Sequence, residues 1–237
     1  MNMALDSVLW KRARENPEIA ILRFYTWRPP GVSLGANQQP AHLVDESFCR
    51  AAGIPVVRRV TGGSAIFHDR EITYSFTSVN DEHFAGPMTA YEKICDALRG
   101  GLVKLGVCLD KRGFSLGREP SFTRQDCFSL SSRHDLVING RKLIGSAQRK
   151  DKTSFLQHGS LLLKINKDLW SRIFLNPPVF EKVTSLSEFM HVPPESEIVK
   201  ALISGFEEFF GARFMVSTLT SGELEEARRA APEYRLV

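Results

Sequence analysis

The residues best suited to chemistry lie in two cassettes that combine basic side chains with small ones. The first, RRVTGGSAIFHD at 58–69, places two arginines, a threonine and paired glycines between two strand-like runs. Glycine lets a backbone approach a ligand closely, and turn amides together with guanidinium groups bind phosphate or carboxylate. Taken alone, this cassette is equally compatible with a hairpin turn that carries solvated charges. The second cassette, GRKLIGSAQ at 140–148 followed by QHGS at 157–160, favours a ligand site.

Cys127 and Lys142 supply a thiol and an ammonium, two groups that covalent chemistry can use. The thiolate is the reactive form of cysteine, and a nearby ammonium favours that form. An ammonium can also hydrogen-bond a substrate carbonyl, with help from backbone amides around Gly145 and Ser146. Judged on local sequence alone, a cysteine in a loop is more often inert, and Lys142 could be a solvated hairpin lysine. The small residues beside Lys142 leave room for a ligand, which favours the site.

Two histidines lie on or beside apolar strands. We predict that His68 is structural and hydrogen-bonded to backbone, whereas His158 is equally compatible with a structural role and with a place in the site. No spacing of histidine, cysteine and carboxylate residues suits a metal ion, so none is expected. Cys49, Cys95 and Cys108 lie among apolar residues and are expected to behave as small core hydrophobes.

The order of elements predicts one α+β domain over 1–237, with a strand-rich middle and helices at both ends. Periodicity and capping signals predict helices over 2–14, 45–52, 87–105, 169–175, 185–190, 195–210 and from Thr220 onward. Strands are predicted over 19–27, 32–35, 54–57, 72–76, 135–138 and 143–148, with 154–165 as a strand pair or one long strand. Asn139-Gly140 predicts a hairpin, Gly100-Gly101 weakens a helix, and 116–133 is expected to be a loop.

The overall charge of the chain does not indicate nucleic-acid binding, but it is compatible with an acidic protein partner. Lys and Arg number 31 against 27 Asp and Glu, so the net charge is +4. This excess is too small and too scattered to argue for nucleic acid, although it suits an acidic partner surface. Without a signal peptide or an apolar run of transmembrane length, the sequence predicts a cytoplasmic protein.

Four motifs in this order resemble the catalytic domain of the biotin/lipoate protein ligase superfamily, lipoate branch. They are Arg-Arg-x-Thr-Gly-Gly-x-Ala-x-x-His-Asp at 58–69, Thr-Tyr-Ser at 73–75, Gly-Arg-Lys-x-x-Gly-Ser-Ala-Gln at 140–148 and Gln-His-Gly-Ser-Leu-Leu-Leu at 157–163. The opening Asn-Met-Ala-Leu-Asp at 2–6 is similar to the first helix of lipoate-type members. The resemblance implies mixed sheets flanked by helices around an acyl-binding tunnel. The motifs span about 2–165, a helical part follows over 166–237, and no accessory domain is expected.

The resemblance also implies which residues bind the acyl group or an acyl-adenylate. Lys142 would lie beside the acyl carbonyl. The other binding residues implied are Arg59, Thr61, Gly62, Gly63, Ser64, Ala65, Ile66, Phe67, Gly145, Ser146, Ala147, His158 and Gly159.

Two activities occur within such a superfamily. Octanoyltransferases take an acyl group from acyl carrier protein onto a cysteine and need no cofactor, whereas lipoate–protein ligases use ATP and Mg²⁺ to form an adenylate. Asp126-Cys127-Phe128 is similar to the Cys-Phe pair of Gram-positive-type transferases, and the run at 69–75 is closer to their form. Ser64 favours neither activity, while Arg133-His134-Asp135 resembles the Arg-Asn-Asp of ligases. The transferase is the predicted activity and the ligase is the alternative. A catalytically dead acyl-binding scaffold is disfavoured by the intact cassettes.

The implied acceptor is a lysine on a lipoyl domain of a 2-oxoacid dehydrogenase or of the glycine cleavage H protein. Arg118, Arg124, Arg149 and Lys150 are the candidate contacts for such an acidic domain, and the enzyme is expected to be a monomer. Relatives carry a strand before the first helix that is absent here. Either the true start lies upstream or that edge of the sheet is shortened.

Overall fold

The architecture is α+β, as the sequence predicts, and the computed structural model describes residues 1–81, 84, 87–110 and 135–237. The helices are α1 (Asn2–Glu15), α2 (Glu46–Ala51), α3 (Pro87–Lys104), α4 (Lys167–Ile173), α5 (Glu195–Phe210) and α6 (Ser221–Ala230). The strands are β1 (Ile21–Tyr25), β2 (Gly31–Leu34), β3 (Val56–Arg58), β4 (Ile66–His68), β5 (Glu71–Val79), β6 (Leu136–Ile138), β7 (Arg141–Lys150) and β8 (Ser154–Leu162). Cys127 and the loop predicted over 116–133 lie outside the described residues.

Two sheets carry the fold. The larger has the order β1-β5-β8-β7-β6 with antiparallel neighbours throughout. The smaller has the order β3-β2-β4, in which β2 and β3 run parallel while β2 and β4 run antiparallel. The end of the chain extends the smaller sheet, because Leu236 donates its amide to the carbonyl of Val56. Of the two structures predicted for the 154–165 segment, one long strand is correct, since β8 runs unbroken over Ser154–Leu162.

The first cassette is not a hairpin turn. β3 ends at its first residue and β4 lies within it, and the two strands pair with opposite sides of β2. The chain between Arg58 and Ile66 must therefore cross β2 instead of reversing between adjacent strands. This excludes the hairpin-turn alternative, which local pattern could not exclude because it does not show which strand pairs with which.

Local signals elsewhere were reliable. Asn139 and Gly140 both adopt positive φ, at 50° and 72°, as a tight hairpin between β6 and β7 requires. Thr220 caps α6 in a capping box with Glu223, whose side chain accepts from the Thr220 amide.

The helix predicted over 185–190 was wrong, because the segment forms one 3₁₀ turn, Leu186–Glu188.

α3 and α5 pack against each other and against one face of the larger sheet. Ile94 and Leu98 of α3 meet Phe206 of α5 and Tyr74 and Phe76 of β5 in one buried cluster. On the other face of the sheet, α1 packs against α6 through Ala4, Leu5, Val8 and Ala227. The sheet is thus covered on both faces, and its polar residues must find partners inside the protein.

A glycine in α3, read from the sequence as a weakness, permits this packing. A Cβ at Gly101 would lie 2.6 Å from the Cα of Leu202, whereas a Cβ at Gly100 would come no closer than 3.7 Å to Gly205. We expect Gly101→Ala to lower the free energy of unfolding by about 1–3 kcal/mol through overpacking. Gly100→Ala is the matched control and should leave stability unchanged or raise it by up to about 1 kcal/mol. Urea unfolding measures both, and equal effects would show that the close approach is not needed.

Candidate active site

The first cassette, α1 and the larger sheet meet around a small cavity. Its volume is about 10 Å³, which is room for about one water molecule. An acyl chain can enter it only if its walls separate. The walls consist of Met3, Tyr25, Ser33, Arg59, Ile66, His68, Thr73, Ala147, His158 and Gly159.

One side of the cavity holds a carboxylate–histidine–hydroxyl chain. Asp6 Oδ2 lies 3.2 Å from His158 Nδ1, and His158 Nε2 lies 2.6 Å from Thr61 Oγ1. Because a carboxylate only accepts, Nδ1 carries a proton, and in the neutral imidazole Nε2 then accepts from the threonine hydroxyl. Arg23 and Tyr25 also donate to Asp6, at 2.8 and 2.7 Å. Burial opposes the charge on Asp6, but the hydrogen bond from His158 and the positive charge of Arg23 together lower its pKa.

A second chain of the same kind lies beside the first. His68 Nε2 is 2.8 Å from Ser33 Oγ, and His68 Nδ1 is 3.5 Å from Glu71 Oε1. Trp27 stacks on the imidazole, with ring centroids 4.1 Å apart. Burial lowers the pKa of His68, helped by the positive charge of Arg59 and opposed by Glu71. The prediction that His68 hydrogen-bonds to backbone was wrong, because its imidazole contacts the side chains of Ser33 and Glu71.

Arg59 holds the first cassette in shape. Its guanidinium donates to the carbonyl oxygens of Ser33, Gly62 and Ser64 at 2.9, 2.8 and 2.7 Å. The residue is 2% exposed, so these bonds form away from water. The cassette backbone therefore curls around the guanidinium, and the role this geometry gives Arg59 is to order the loop.

The remaining residues of the first cassette divide between the surface, the cavity and the core. Gly62 and Gly63 are exposed, and Gly63 has a φ of 83°. Ser64 and Ala65 are buried. Strand alternation then sends Ile66 towards the cavity, while Phe67 packs edge-on against Trp170 in the core of the smaller sheet.

In the second cassette, Lys142 forms a buried ion pair. Its Nζ lies 3.0 Å from Asp135 Oδ2, and the two side chains are 6% and 1% exposed. The hydroxyl of Tyr91 donates to the same carboxylate at 3.4 Å. Asp135 was not among the predicted site residues. The sequence feature that points to Asp135 is the Arg-His-Asp run at 133–135, which the sequence analysis related only to the ligase alternative.

The small residues of the second cassette allow the strands to pack closely. Tyr74 and Ser146 hydroxyls lie 2.9 Å apart, and a Cβ at Gly159 would lie 2.5 Å from Ser146 Oγ. Burial raises the pKa of Tyr74, so its hydroxyl stays neutral. Ala147 and His158, paired across β7 and β8, line the cavity on the opposite face of the sheet from Ser146.

The structure thus brings part of the predicted set together. Arg59, Ile66, Ala147, His158 and Gly159 share one cavity, and Thr61 joins it through His158. Lys142 does not line this cavity and is held by Asp135 instead. Asp6 and Glu71 were missed, because a buried carboxylate facing a histidine from another element leaves no local pattern. Among the described residues, no group of three His, Cys, Asp or Glu side chains could hold a metal ion.

The burial of His68 predicts a dependence of stability on pH. Its pKa is lower in the folded protein than the usual 6.5, so below about pH 6.5 the unfolded chain binds more protons and stability falls. We expect the unfolding free energy to drop between about pH 7 and pH 5.5 by more in the parent protein than in His68→Gln. The difference is at most about 1.4 kcal/mol per pH unit. The exposed-site variant His42→Gln should keep the parent slope, and identical slopes in all three proteins would contradict the assignment.

Comparison with known proteins identifies the family. The model of the lipoyl protein ligase A/B catalytic domain matches residues 1–207. Octanoyltransferase LipM of Moorella thermoacetica is 31% identical over 98% of this chain and 90% of its own length. The enzyme of the same name from Carboxydothermus hydrogenoformans is 34% identical, with the same coverage. Both names agree with the predicted acyltransferase rather than with the ligase alternative.

A solved structure confirms the predicted fold. It belongs to a study of a bi-partite lipoate protein ligase and its E2 lipoyl domain from Thermoplasma acidophilum. The TM-score is 0.77 at 24% identity, covering 98% of this chain and 87% of the other. In the described part of this chain, every helix is too short or too polar to cross a membrane. The match of the family model over most of the sequence shows that the chain belongs to the lipoyl protein ligase A/B catalytic domain family.

Proposed function

We propose that this protein is an octanoyltransferase that moves an octanoyl group from acyl carrier protein to a lysine of a lipoyl domain through a thioester on Cys127. The observation that carries the proposal is the buried ion pair of Lys142 and Asp135, in a chain whose near-full-length relatives are named octanoyltransferases. Acyl transfer passes through a tetrahedral oxyanion that a fixed positive group can stabilise, and Lys142 can supply such a group.

The reaction proceeds in two exchanges. The Cys127 thiolate attacks the carbonyl carbon of the carrier thioester, a tetrahedral oxyanion forms, and the carrier sulfur leaves as a thiolate that takes up a proton from water. The neutral amine of the acceptor lysine then attacks the Cys127 thioester. The amine gives up a proton to water as the amide forms, and the Cys127 thiolate is released. Lys142 stabilises both the Cys127 thiolate and the oxyanion of each step.

Asp135 supplies the counter-charge that a buried lysine requires. An ammonium buried without a counter-charge is strongly destabilised, and the Asp135 carboxylate lies 3.0 Å from Lys142 Nζ. The pair sits beside the hairpin of β6 and β7, which fixes the lysine on a rigid strand.

The ATP-dependent ligase has weaker support. It was expected to use the Arg59 guanidinium on an adenylate phosphate, but three backbone carbonyls already accept from that group. The proposed transfer needs neither ATP nor Mg²⁺, because its acyl donor is already an activated thioester. Arg149 donates to the carbonyl of Val60 at the edge of the first cassette, and with Lys150 it remains the proposed contact for the acidic lipoyl domain.

The thioester on Cys127 provides the test of this function. Incubation with octanoyl-acyl carrier protein alone should add one octanoyl mass to the protein, on the peptide that contains Cys127. Hydroxylamine should remove the adduct, as it cleaves thioesters. Cys127→Ala should lose both the adduct and transfer to an apo lipoyl domain. Cys127→Ser should be nearly inactive, because a hydroxyl does not ionise near neutral pH.

Cys49→Ala and Cys95→Ala are the matched controls. Both cysteines are buried, and burial raises the pKa of the Cys49 thiol to about 11, so it is a poor nucleophile near neutral pH. These variants should keep the adduct and the transfer activity. A Cys127→Ala protein with full transfer activity would refute the proposal and leave the ligase reaction as the better explanation.

A further inference from the structure

A groove with arginines along its rim lies next to the cavity and has no part in the reaction described above. Its volume is about 810 Å³. The bend after β1, the end of α2 and the last turns of the chain form its walls. Four exposed arginines line it, namely Arg28, Arg50, Arg228 and Arg235. Its lining, as far as the chain is described, includes no aspartate or glutamate.

The positive charge of the groove is only partly neutralised. Arg50 lies 3.8 Å from Glu46, and Arg235 donates a hydrogen bond to the backbone oxygen of Val237 at 3.4 Å. Arg28 and Arg228 form no ion pair within the described part of the chain. Elsewhere an exposed arginine does pair, as Arg14 does with Asp151 at 3.4 Å. The groove is therefore a local concentration of positive charge on a protein of modest net charge.

The floor of the groove is apolar. Trp27, Ile54, Pro55, Val57 and Pro232 line it between the arginines. An apolar floor with a charged rim is the usual composition of a surface that binds another protein. The sign of the rim selects a partner with an acidic surface.

Trp27 is the wall that the groove shares with the cavity. Its ring lines the groove and stacks on His68, which lines the cavity. Asn2 also lines the groove, while its neighbour Met3 lines the cavity. A partner bound in the groove is thus separated from the site by one layer of side chains.

We infer that this groove docks the acidic carrier protein that delivers the acyl group; the inference rests on the proposed octanoyl transfer. A carrier holds its acyl group on a long flexible arm, so it can bind at a distance from the reacting carbonyl. The acceptor lysine has only its own side chain to extend and must be presented directly at the site. The layer of side chains between groove and cavity therefore favours the carrier over the lipoyl domain as the occupant.

Charge reversal of the two arginines without ion pairs tests the inference. The variant Arg28→Glu/Arg228→Glu and the control Arg213→Glu/Arg229→Glu each change the charge by 2 × −2, from +4 to 0. Arg229 is the neighbour of Arg228 on α6 but does not line the groove. Acylation of the full chain is followed by intact mass with two donors. One is octanoyl carrier protein, and the other is the octanoyl thioester of N-acetylcysteamine, which lacks the protein.

The groove variant should raise KM for the carrier donor by roughly tenfold, as expected when steering charges are lost. Its rate with the small thioester should match the parent, which also shows that it is folded. The control should behave as the parent with both donors, and salt should raise the parent KM for the carrier. The milder Arg28→Gln/Arg228→Gln should show a smaller rise.

Three results would distinguish a failure of the docking inference from a failure of the proposed function. A groove variant with the parent KM for the carrier overturns the docking inference and leaves the proposed function intact. A rise confined to the lipoyl-domain acceptor assigns the groove to the other partner and also overturns the inference. A parent protein that neither donor acylates refutes the proposed octanoyl transfer itself.

Discussion

A charged group taken out of water must have a partner inside the protein, and the arrangement of this site follows from that requirement. The chain buries Asp6, Arg59, His68, Glu71, Asp135, Lys142 and His158. Removing one member of such a set leaves the other buried without compensation, which typically costs about 3–5 kcal/mol for an ion pair. The polar partners are therefore as necessary to the fold as the apolar core. They also fix the side chains that we propose for catalysis.

The same pairing joins parts of the chain that are far apart in sequence. Asp6 on α1 and His158 on β8 are 152 positions apart, and Thr61 of the first cassette completes their chain. Arg59 shapes that cassette from within, and Lys142 is held on β7 by Asp135. Binding of an acyl chain therefore has to open a small cavity whose walls are hydrogen-bonded on several sides. Such a site favours a substrate that brings its own binding energy, as a docked carrier protein does.

Local sequence predicted the elements well where one interaction decides the structure. Asn139-Gly140 predicted a turn because both residues adopt positive φ readily. Thr220 predicted the start of α6 because its side chain caps the helix. The crossing of β2 by the first cassette was missed, because strand order depends on pairing between distant segments. The resemblance identified Lys142 as a site residue but not Asp135. The run Arg133-His134-Asp135, just before β6, was the sequence feature that could have identified it. Asp6 and Glu71 lay in runs that carried the resemblance, at 2–6 and 69–75, but their pairing with histidines on other elements leaves no local pattern. Gly101 was read as a weakness, although a partner helix needs that position free of a side chain.

The rate at which octanoyl carrier protein acylates the chain in Lys142→Ala, Asp135→Asn and the double variant tests the role of the ion pair most directly. Lys142→Ala should lower the rate by about 10²–10³-fold, because it removes the group that stabilises the oxyanion. Asp135→Asn should also lower it, because Lys142 then lacks its counter-charge. The double variant should be no slower than Lys142→Ala, because the aspartate acts only through the lysine. A Lys142→Ala protein acylated at the parent rate, or losses that multiply in the double variant, would contradict the proposed mechanism.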